Sequence, residues 1–364
     1  MIVFIQSLIK SEYYLQIIYI SFFICSLVFS ILINSLFLKF ARTLGIHNNE
    51  DRVIRWASQT KPAFGGISFY IVFLLSIISY SFIFEKSQFF LNSQFLGIIL
   101  SCTLGFLMGL FDDAYNTKPL LKFFTQLTCG FILIFTGTTI HFFNNIYLDY
   151  FLTLFWVIGI MNSINMLDNM DAISTSVSSS IIVCILINVF IQNDLQNPHI
   201  LIFIGMLAAL VGFLKFNWHP SKMFMGDTGS QFLGVFLAAT GIIYFWNINY
   251  TNENYFFSKQ IISVVLIFAI PIIDTTTVVI KRLLNRSSPF IGGKDHTTHH
   301  LSYLGLNDKQ VALIFIGISL ISIVLNILVQ RFIKEWNILY FVFFGIYFLI
   351  LFMVLFIIAY KSKK

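Results

Sequence analysis

The chain has 364 residues, 58% of them apolar and 10% charged, with a net charge of +6 and a positive mean hydropathy. That balance excludes an ordinary water-soluble domain and a disordered chain, and it places the sequence among membrane proteins with no nucleic-acid partner expected. A span needs roughly 20 apolar residues to cross ~30 Å of hydrocarbon.

Eleven candidate spans run near 13–38, 65–84, 94–111, 119–141, 147–165, 172–192, 199–217, 229–248, 260–281, 309–331 and 338–360. Backbone groups in lipid must be satisfied within each helix, so the predicted fold is an all-α, polytopic helical bundle, one integral domain over 1–364. The first apolar run lacks the short core and cleavage site of a signal peptide and is expected to stay as a span. Cys25, Cys102, Cys129 and Cys184 all fall inside spans, which suggests neither a disulfide framework nor a metal knuckle. With eleven spans, seventeen of the 22 basic residues lie on one side, against Lys10, Lys86, Lys259, Arg331 and Lys334 on the other. The positive-inside rule then places the N-terminus outside and the C-terminal KSKK in the cytoplasm.

Polar clusters interrupt this pattern in five segments, near 39–64, 112–122, 162–175, 218–230 and 282–308. In chain order, QTKPAFGG puts Lys61 and a glycine pair at the mouth of the second span, a pattern that close helix packing also explains. Next, GLFDDAYNTKPLLKFFTQL ends the third span on Asp112 and Asp113 and opens the fourth with Lys122. Adjacent carboxylates repel, and near lipid they need a cation to stay ionised together.

The stretch MNSINMLDNMDAIST carries Asn162, Asn165, Asp168 and Asp171 at a three-residue spacing. Each step of three turns about 300° on an ideal helix, so the four groups cannot converge on one point unless the helix breaks. The break is predicted near Asp168 to Met170, with Asn169 leaving the right-handed region. Four such groups beside lipid suit an oxygen-rich cation site, although a polar turn also favours Asn and Asp.

In KMFMGDTGSQFLG, Asp227 opens the eighth span as either an N-cap or a metal ligand. Asp274 lies inside the ninth span, either as a functional acid or as a buried partner for a nearby Lys or Arg. The loop RSSPFIGGKDHTTHHLSYLG gathers Lys294, Asp295, His296, His299 and His300. It lacks the Glu that a zinc-binding HExxH helix needs, and its mixture of basic and imidazole donors suits diphosphate better. Contact with anionic lipid is the plainer alternative for Arg282 and Arg286. All five segments fall on the face assigned to the cytoplasm.

Taken together, TKPxxGG, the DD pair, NxxNxxDxxD, FMGDxGS and the histidine loop resemble the polyprenyl-phosphate N-acetylhexosamine-1-phosphate transferase family. The resemblance covers most of the chain. It implies transfer of a sugar 1-phosphate from a cytoplasmic UDP-N-acetylhexosamine to a polyprenyl (undecaprenyl) phosphate in the inner membrane, giving a lipid-linked diphospho-sugar and UMP. This would be the first step of a cell-envelope polysaccharide such as the O-antigen of lipopolysaccharide. Mg²⁺ is the implied cofactor, with Mn²⁺ as the alternative ion, and a homodimer is compatible with the pattern.

By the same resemblance Asp227 and Asn165 look like metal ligands, and Asp112 and Asp113 like the acidic pair at the reaction centre. Asp168 and Asp171 look like contributors to nucleotide binding, with Asn162 beside them. The histidine loop looks like a sugar-diphosphate contact, and Lys61 and Lys122 would face anionic groups. A phosphate monoester is mostly dianionic at neutral pH, so a strong general base is unnecessary. The acidic pair is expected mainly to organise Lys122 and metal-bound water, and Asp113 is the better candidate if a base is used.

The family commonly has glycine after each of the two acids, where this chain has Asn169 and Ala172. Asn visits the left-handed region readily, whereas Ala does so at a cost. DHTTHHL resembles the GlcNAc-1-phosphate members more than the phospho-MurNAc-pentapeptide members, whose loop usually ends in HHH, and the latter activity is the alternative within the family. A secondary transporter is the alternative from another class, but it would place its acids near the midplane in two related halves.

Overall fold

A computed structural model describes residues 14–43, 61–84, 92–143, 145–195, 197–248, 256–288 and 293–362. Most of the expected 39–64 site segment and the tip of the 282–308 loop lie outside the described residues. Among the described residues every regular element is a helix. In chain order these are α1 (Tyr14–Thr43), α2 (Gly65–Ile83), α3 (Ser93–Tyr115), α4 (Pro119–Phe135), α5 (Ile146–Leu167), α6 (Ile173–Ile191) and α7 (Ile200–Asn217). They continue as α8 (Gly226–Gly241), α9 (Phe256–Ile267), α10 (Ala269–Leu284), the short α11 (Thr297–Tyr303), α12 (Asp308–Ile327) and α13 (Ile338–Lys361). A single π-helical turn extends α8 through Trp246 and another extends α12 through Phe332.

Each of the eleven expected spans meets a helix or a helix pair. Among the described residues nine helices are long and apolar enough to cross a membrane, or ten spans if a bent pair counts as one. The chain is thus a multi-pass membrane protein. The shortfall from eleven is α4, whose 17 residues reach about 26 Å at 1.5 Å per residue, less than the ~30 Å core. The expected ninth span is the bent pair, α9 and α10 meeting at 81°. Phe268 interrupts the helix there, and Pro271 falls in the first turn of α10, where a missing N–H costs little.

Helix α8 is the axis of the bundle, with Thr228 to Gly241 all buried. Glycines admit its neighbours to backbone contact, which is how helices associate where lipid removes the hydrophobic drive. A Cβ on Gly66 of α2 would run into the Gly229 backbone, and one on Gly109 of α3 into the Asp227 carbonyl. The segment entering α2 runs beside the one entering α8, with Phe224 N–H donating to the Pro62 carbonyl at 3.0 Å and Gly66 N–H to the Met225 carbonyl at 3.0 Å. The outer helices turn Leu, Ile and Phe side chains outward, Phe135 at 84% exposure and Phe155 at 66% among them, as a lipid-facing surface requires. All four cysteines are free thiols.

Candidate functional site

The site is built on the first turn of α8. Gly226 adopts φ +72, and the Asp113 carboxylate occupies the space a side chain there would need. Asp113 accepts the Asp227 N–H at 3.0 Å, the Thr228 N–H at 2.9 Å and the Thr228 hydroxyl at 2.6 Å. An acid from the last turn of α3 therefore caps a different helix, satisfying two of its orphan N–H groups and meeting the positive end of its dipole. Both Asp113 oxygens are engaged in this way.

The Asp227 side chain is left to face the other polar segments. Its Oδ2 accepts from Lys122 Nζ at 3.0 Å, and its Oδ1 from the Asn165 amide at 2.5 Å. Lys122 also meets Asp112 Oδ2 at 2.6 Å. The opposite oxygen of Asp112 takes the Thr117 N–H at 2.9 Å and its hydroxyl at 2.5 Å, so the α3–α4 turn fixes Asp112 while Lys122 bridges it to Asp227. Two carboxylates, Asp112 and Asp227, share one ammonium, and Asp113 adds a third negative charge behind them. The excess negative charge and the oxygen-only acid set fit a hard divalent cation.

One turn deeper lies a carboxamide layer. Asn162 donates to Gln126 Oε1 at 2.8 Å, and Gln126 Nε2 donates to Gln231 Oε1 at 3.1 Å. Asn162, expected to touch substrate, is half-buried and paired with a buried glutamine. Gln126 opens the fourth expected span together with Lys122, and Gln231 stands four residues after Asp227, where helical periodicity would have pointed to it.

The break between α5 and α6 runs from Asp168 to Ala172, close to the expected Asp168–Met170, but its left-handed residue is Ala172 (φ 67, ψ −11), not Asn169. Asn217 holds that conformation, accepting the Ala172 N–H at 3.2 Å and the Thr175 hydroxyl at 2.8 Å. Asp168 closes the end of α5 and is half-buried.

Asp171 accepts the Ser221 N–H at 2.9 Å and hydroxyl at 2.6 Å and lies 3.1 Å from His219 Nδ1. Lys61 donates to the same Ser221 hydroxyl at 2.8 Å, lies 3.8 Å from Asp171 and sits over the Phe224 ring. Asp171, His219 and Asp308 stand close enough together to surround a metal ion, with the Lys61 ammonium 3.8 Å from Asp171. Ser221, His219 and Asp308 gave no signal in the sequence, because only folding brings the 218–222 loop to Asp171.

In the histidine loop, the partner of Asp274 is neither a Lys nor an Arg. Asp274 accepts the Thr297 N–H at 2.8 Å and hydroxyl at 2.6 Å and lies 2.8 Å from His296 Nδ1. It thus caps α11 from within the bundle. Asp295 accepts from Arg282 Nε and Nη2, each at 2.7 Å. Burial pushes the Asp295 carboxyl up, but the Arg282 guanidinium outweighs this and holds it below the usual carboxylate range. His300 is engaged at both nitrogens, by Lys281 at 2.6 Å and Ser362 at 2.6 Å. Burial first, then the Lys281 ammonium, pushes its pKa down to about 4. His299, buried beside His296, is likewise pushed down to about 4. Both rings are therefore neutral at pH 7. Asp295 and His300 find their partners inside the protein, and Lys294 stays half-exposed beside them.

Residues 95–245 match glycosyl transferase family 4, a range that holds Asp112, Asp113, Lys122, Asn162, Asn165, Asp168, Asp171 and Asp227. Along 88% of its length the chain is 26% identical to a probable undecaprenyl-phosphate N-acetylglucosaminyl 1-phosphate transferase of Bacillus subtilis, covering 87% of that protein. It is 26% identical to the decaprenyl-phosphate N-acetylglucosaminephosphotransferase of Mycolicibacterium smegmatis over 72% of this chain and 71% of the relative. A phospho-N-acetylmuramoyl-pentapeptide-transferase of Streptococcus agalactiae is 34% identical, over 54% of this chain and 64% of the relative.

Proposed function

We propose, from the premise that this chain belongs to glycosyl transferase family 4, that it transfers N-acetylglucosamine 1-phosphate from UDP-N-acetylglucosamine to a polyprenyl phosphate, giving a lipid-linked diphospho-sugar and UMP. One observation carries the proposal, the Lys122 ammonium held between Asp112 and Asp227 where α3, α4, α5 and α8 converge. Phosphoryl transfer needs placement and charge neutralisation more than covalent help. In the reaction an oxygen of the acceptor phosphate bonds to the sugar-bearing phosphorus, and the bond from that phosphorus to the bridging oxygen breaks, so UMP leaves with the electron pair. The acceptor, with a second pKa near ~6, is already mostly dianionic at pH 7, so no side chain need remove a proton.

Lys122 then donates to the non-bridging oxygens, Asp112 aims it, and Asp113 fixes the α8 terminus that carries Asp227. A Mg²⁺ ion, with Mn²⁺ as the alternative, would be held by Asp227 and Asn165 beside Asp112 and Asp113, and would offset the diphosphate charge. Lys61, Asp171 and the half-buried Phe224 form a polar-aromatic corner suited to the nucleotide. Lys294 and the histidine helix are read as the sugar-diphosphate side.

The site is assigned to the cytoplasmic face of the inner membrane, with eleven spans counting α4 and the bent pair, and the N-terminus outside. The lopsided distribution of Lys and Arg supports this orientation. A homodimer is compatible with this reading and is to be checked by light scattering in detergent. The phospho-MurNAc-pentapeptide activity is second, because the N-acetylglucosaminyl relatives match more of this chain. A transporter is disfavoured because the acids cluster at helix ends, Asp112 and Asp113 in the last turn of α3 and Asp227 in the first of α8.

The deciding experiment supplies purified protein with undecaprenyl phosphate, Mg²⁺ and a panel of labelled UDP-sugars that includes UDP-MurNAc-pentapeptide. Label from UDP-N-acetylglucosamine should enter lipid with equimolar UMP release. Transfer from no sugar would overturn the assignment.

A further inference from the structure

Asn169 and Thr298 are 129 residues apart, yet the Thr298 hydroxyl donates to Asn169 Oδ1 at 2.7 Å. The other end of the same carboxamide donates to the Met166 carbonyl at 2.8 Å, so it cannot turn without losing a bond. Thr298 is fully buried, and a buried hydroxyl left without an acceptor is costly. A glycine at position 169 has no side chain with which to accept it.

The contact joins two polar segments. Asn169 follows Asp168 and precedes Asp171, whose carboxylate holds the 219–221 loop. Thr298 lies between His296 and His299 on α11. Elsewhere α11 is tied to α10 through Asp274 and Lys281, and to α13 through Ser362. Asn169 ties it to the α5–α6 break. We propose that Asn169 and Thr298 are a positioning pair that fixes the histidine helix against the Asp168–Asp171 break, so that donor-binding groups on the two segments are preorganised as one unit. Fixing such groups in advance lowers the ordering cost of binding. Because the pair acts on ground-state binding and not on the reacting phosphorus, its loss should raise KM and leave kcat largely alone. The pair rests on the transferase assignment for the identity of the ligand, not for its mechanical role.

The test compares Asn169→Gly, Thr298→Val, the double variant and Thr298→Ser. In ligand-free protein in detergent, hydrogen exchange at the amides of α11 should rise in both single variants and no further in the double, while Thr298→Ser exchanges like the parent. In the transfer assay, KM for UDP-N-acetylglucosamine should rise about threefold to tenfold, the range a lost neutral hydrogen bond gives. The effect should be non-additive in the double variant, with kcat within about twofold and recovery in Thr298→Ser. Unchanged α11 exchange in both single variants, or additive effects on KM, would overturn the pair. If the parent protein transfers nothing, the transferase assignment fails and the exchange data alone decide the pair. Asn169→Gly installs the residue common in the family, so at least one informative variant is expected to fold.

Discussion

Asp113 accepts the backbone N–H of Asp227 at 3.0 Å, so the acid of one span caps the helix that presents the acid of another. The DD pair therefore divides its work, with Asp112 turned toward Lys122 and Asp113 toward the α8 terminus. Replacing Asp113 by Asn would put an NH₂ group against one of the two N–H donors that its oxygens now accept. Asp113→Asn should lose about 1 to 3 kcal/mol of stability, the range for leaving buried groups unsatisfied, and most of the UMP release with it. The pH dependence of whatever activity remains should match the parent. A loss of the acid limb in the pH–kcat profile would restore Asp113 as a general base.

Lys122 competes with any cation for the same oxygens. Lys122→Met should lower transfer by about a hundredfold or more, the scale of one removed charge-stabilising donor. The same change should tighten divalent-ion binding, read as a larger Mg²⁺- or Mn²⁺-dependent rise in Tm. Weaker ion binding in Lys122→Met would mean that the oxygens Lys122 occupies, on Asp112 and Asp227, are not the metal site.

Ala172 sits at φ 67, where a side chain costs roughly 1 to 2 kcal/mol. Ala172→Gly relieves that strain but gives up a buried methyl worth about 0.8 kcal/mol and adds chain entropy of about 0.5 to 1 kcal/mol. The terms cancel to within about 1 kcal/mol, and Tm in detergent should hardly move. Ala172→Val, with β-branching in the left-handed region and no room around a buried site, should lower Tm sharply.

His299 and His300 titrate near 4 in the fold and near 6.5 when unfolded. Between those values the unfolded chain takes up protons that the folded one refuses. Stability is therefore full above about pH 6.5 and falls as the pH drops toward 4. Thermal melts from pH 7.5 to 5 should show Tm declining on acidification, and His300→Gln should flatten part of that slope. A pH-independent Tm over this range would count against both assignments.

The apolar runs and their lengths determined the helices and the membrane, because hydrophobic length is a local property of the chain. The three-residue spacing of Asn162, Asn165, Asp168 and Asp171 pointed to a break, and the chain does break there, although Asn162, Asn165 and Asp171 face different partners and do not converge. Sequence could not say where the break turns left-handed. That depended on Asn217, 45 residues downstream, taking the Ala172 N–H.

Nor could it separate Asp112 from Asp113, which are adjacent in sequence and part ways only because Thr117 and Lys122 reach one and the α8 terminus reaches the other. The histidines looked equivalent as a string. Tertiary contacts with Asp274, Asn169, Lys281 and Ser362 gave each position on α11 a different neighbour. Composition and periodicity act along the chain, so they were legible there. Hydrogen-bond partners lie across it, and only the packing of α3, α4, α5 and α8 at one site, and of α10 against α11 at another, chose them.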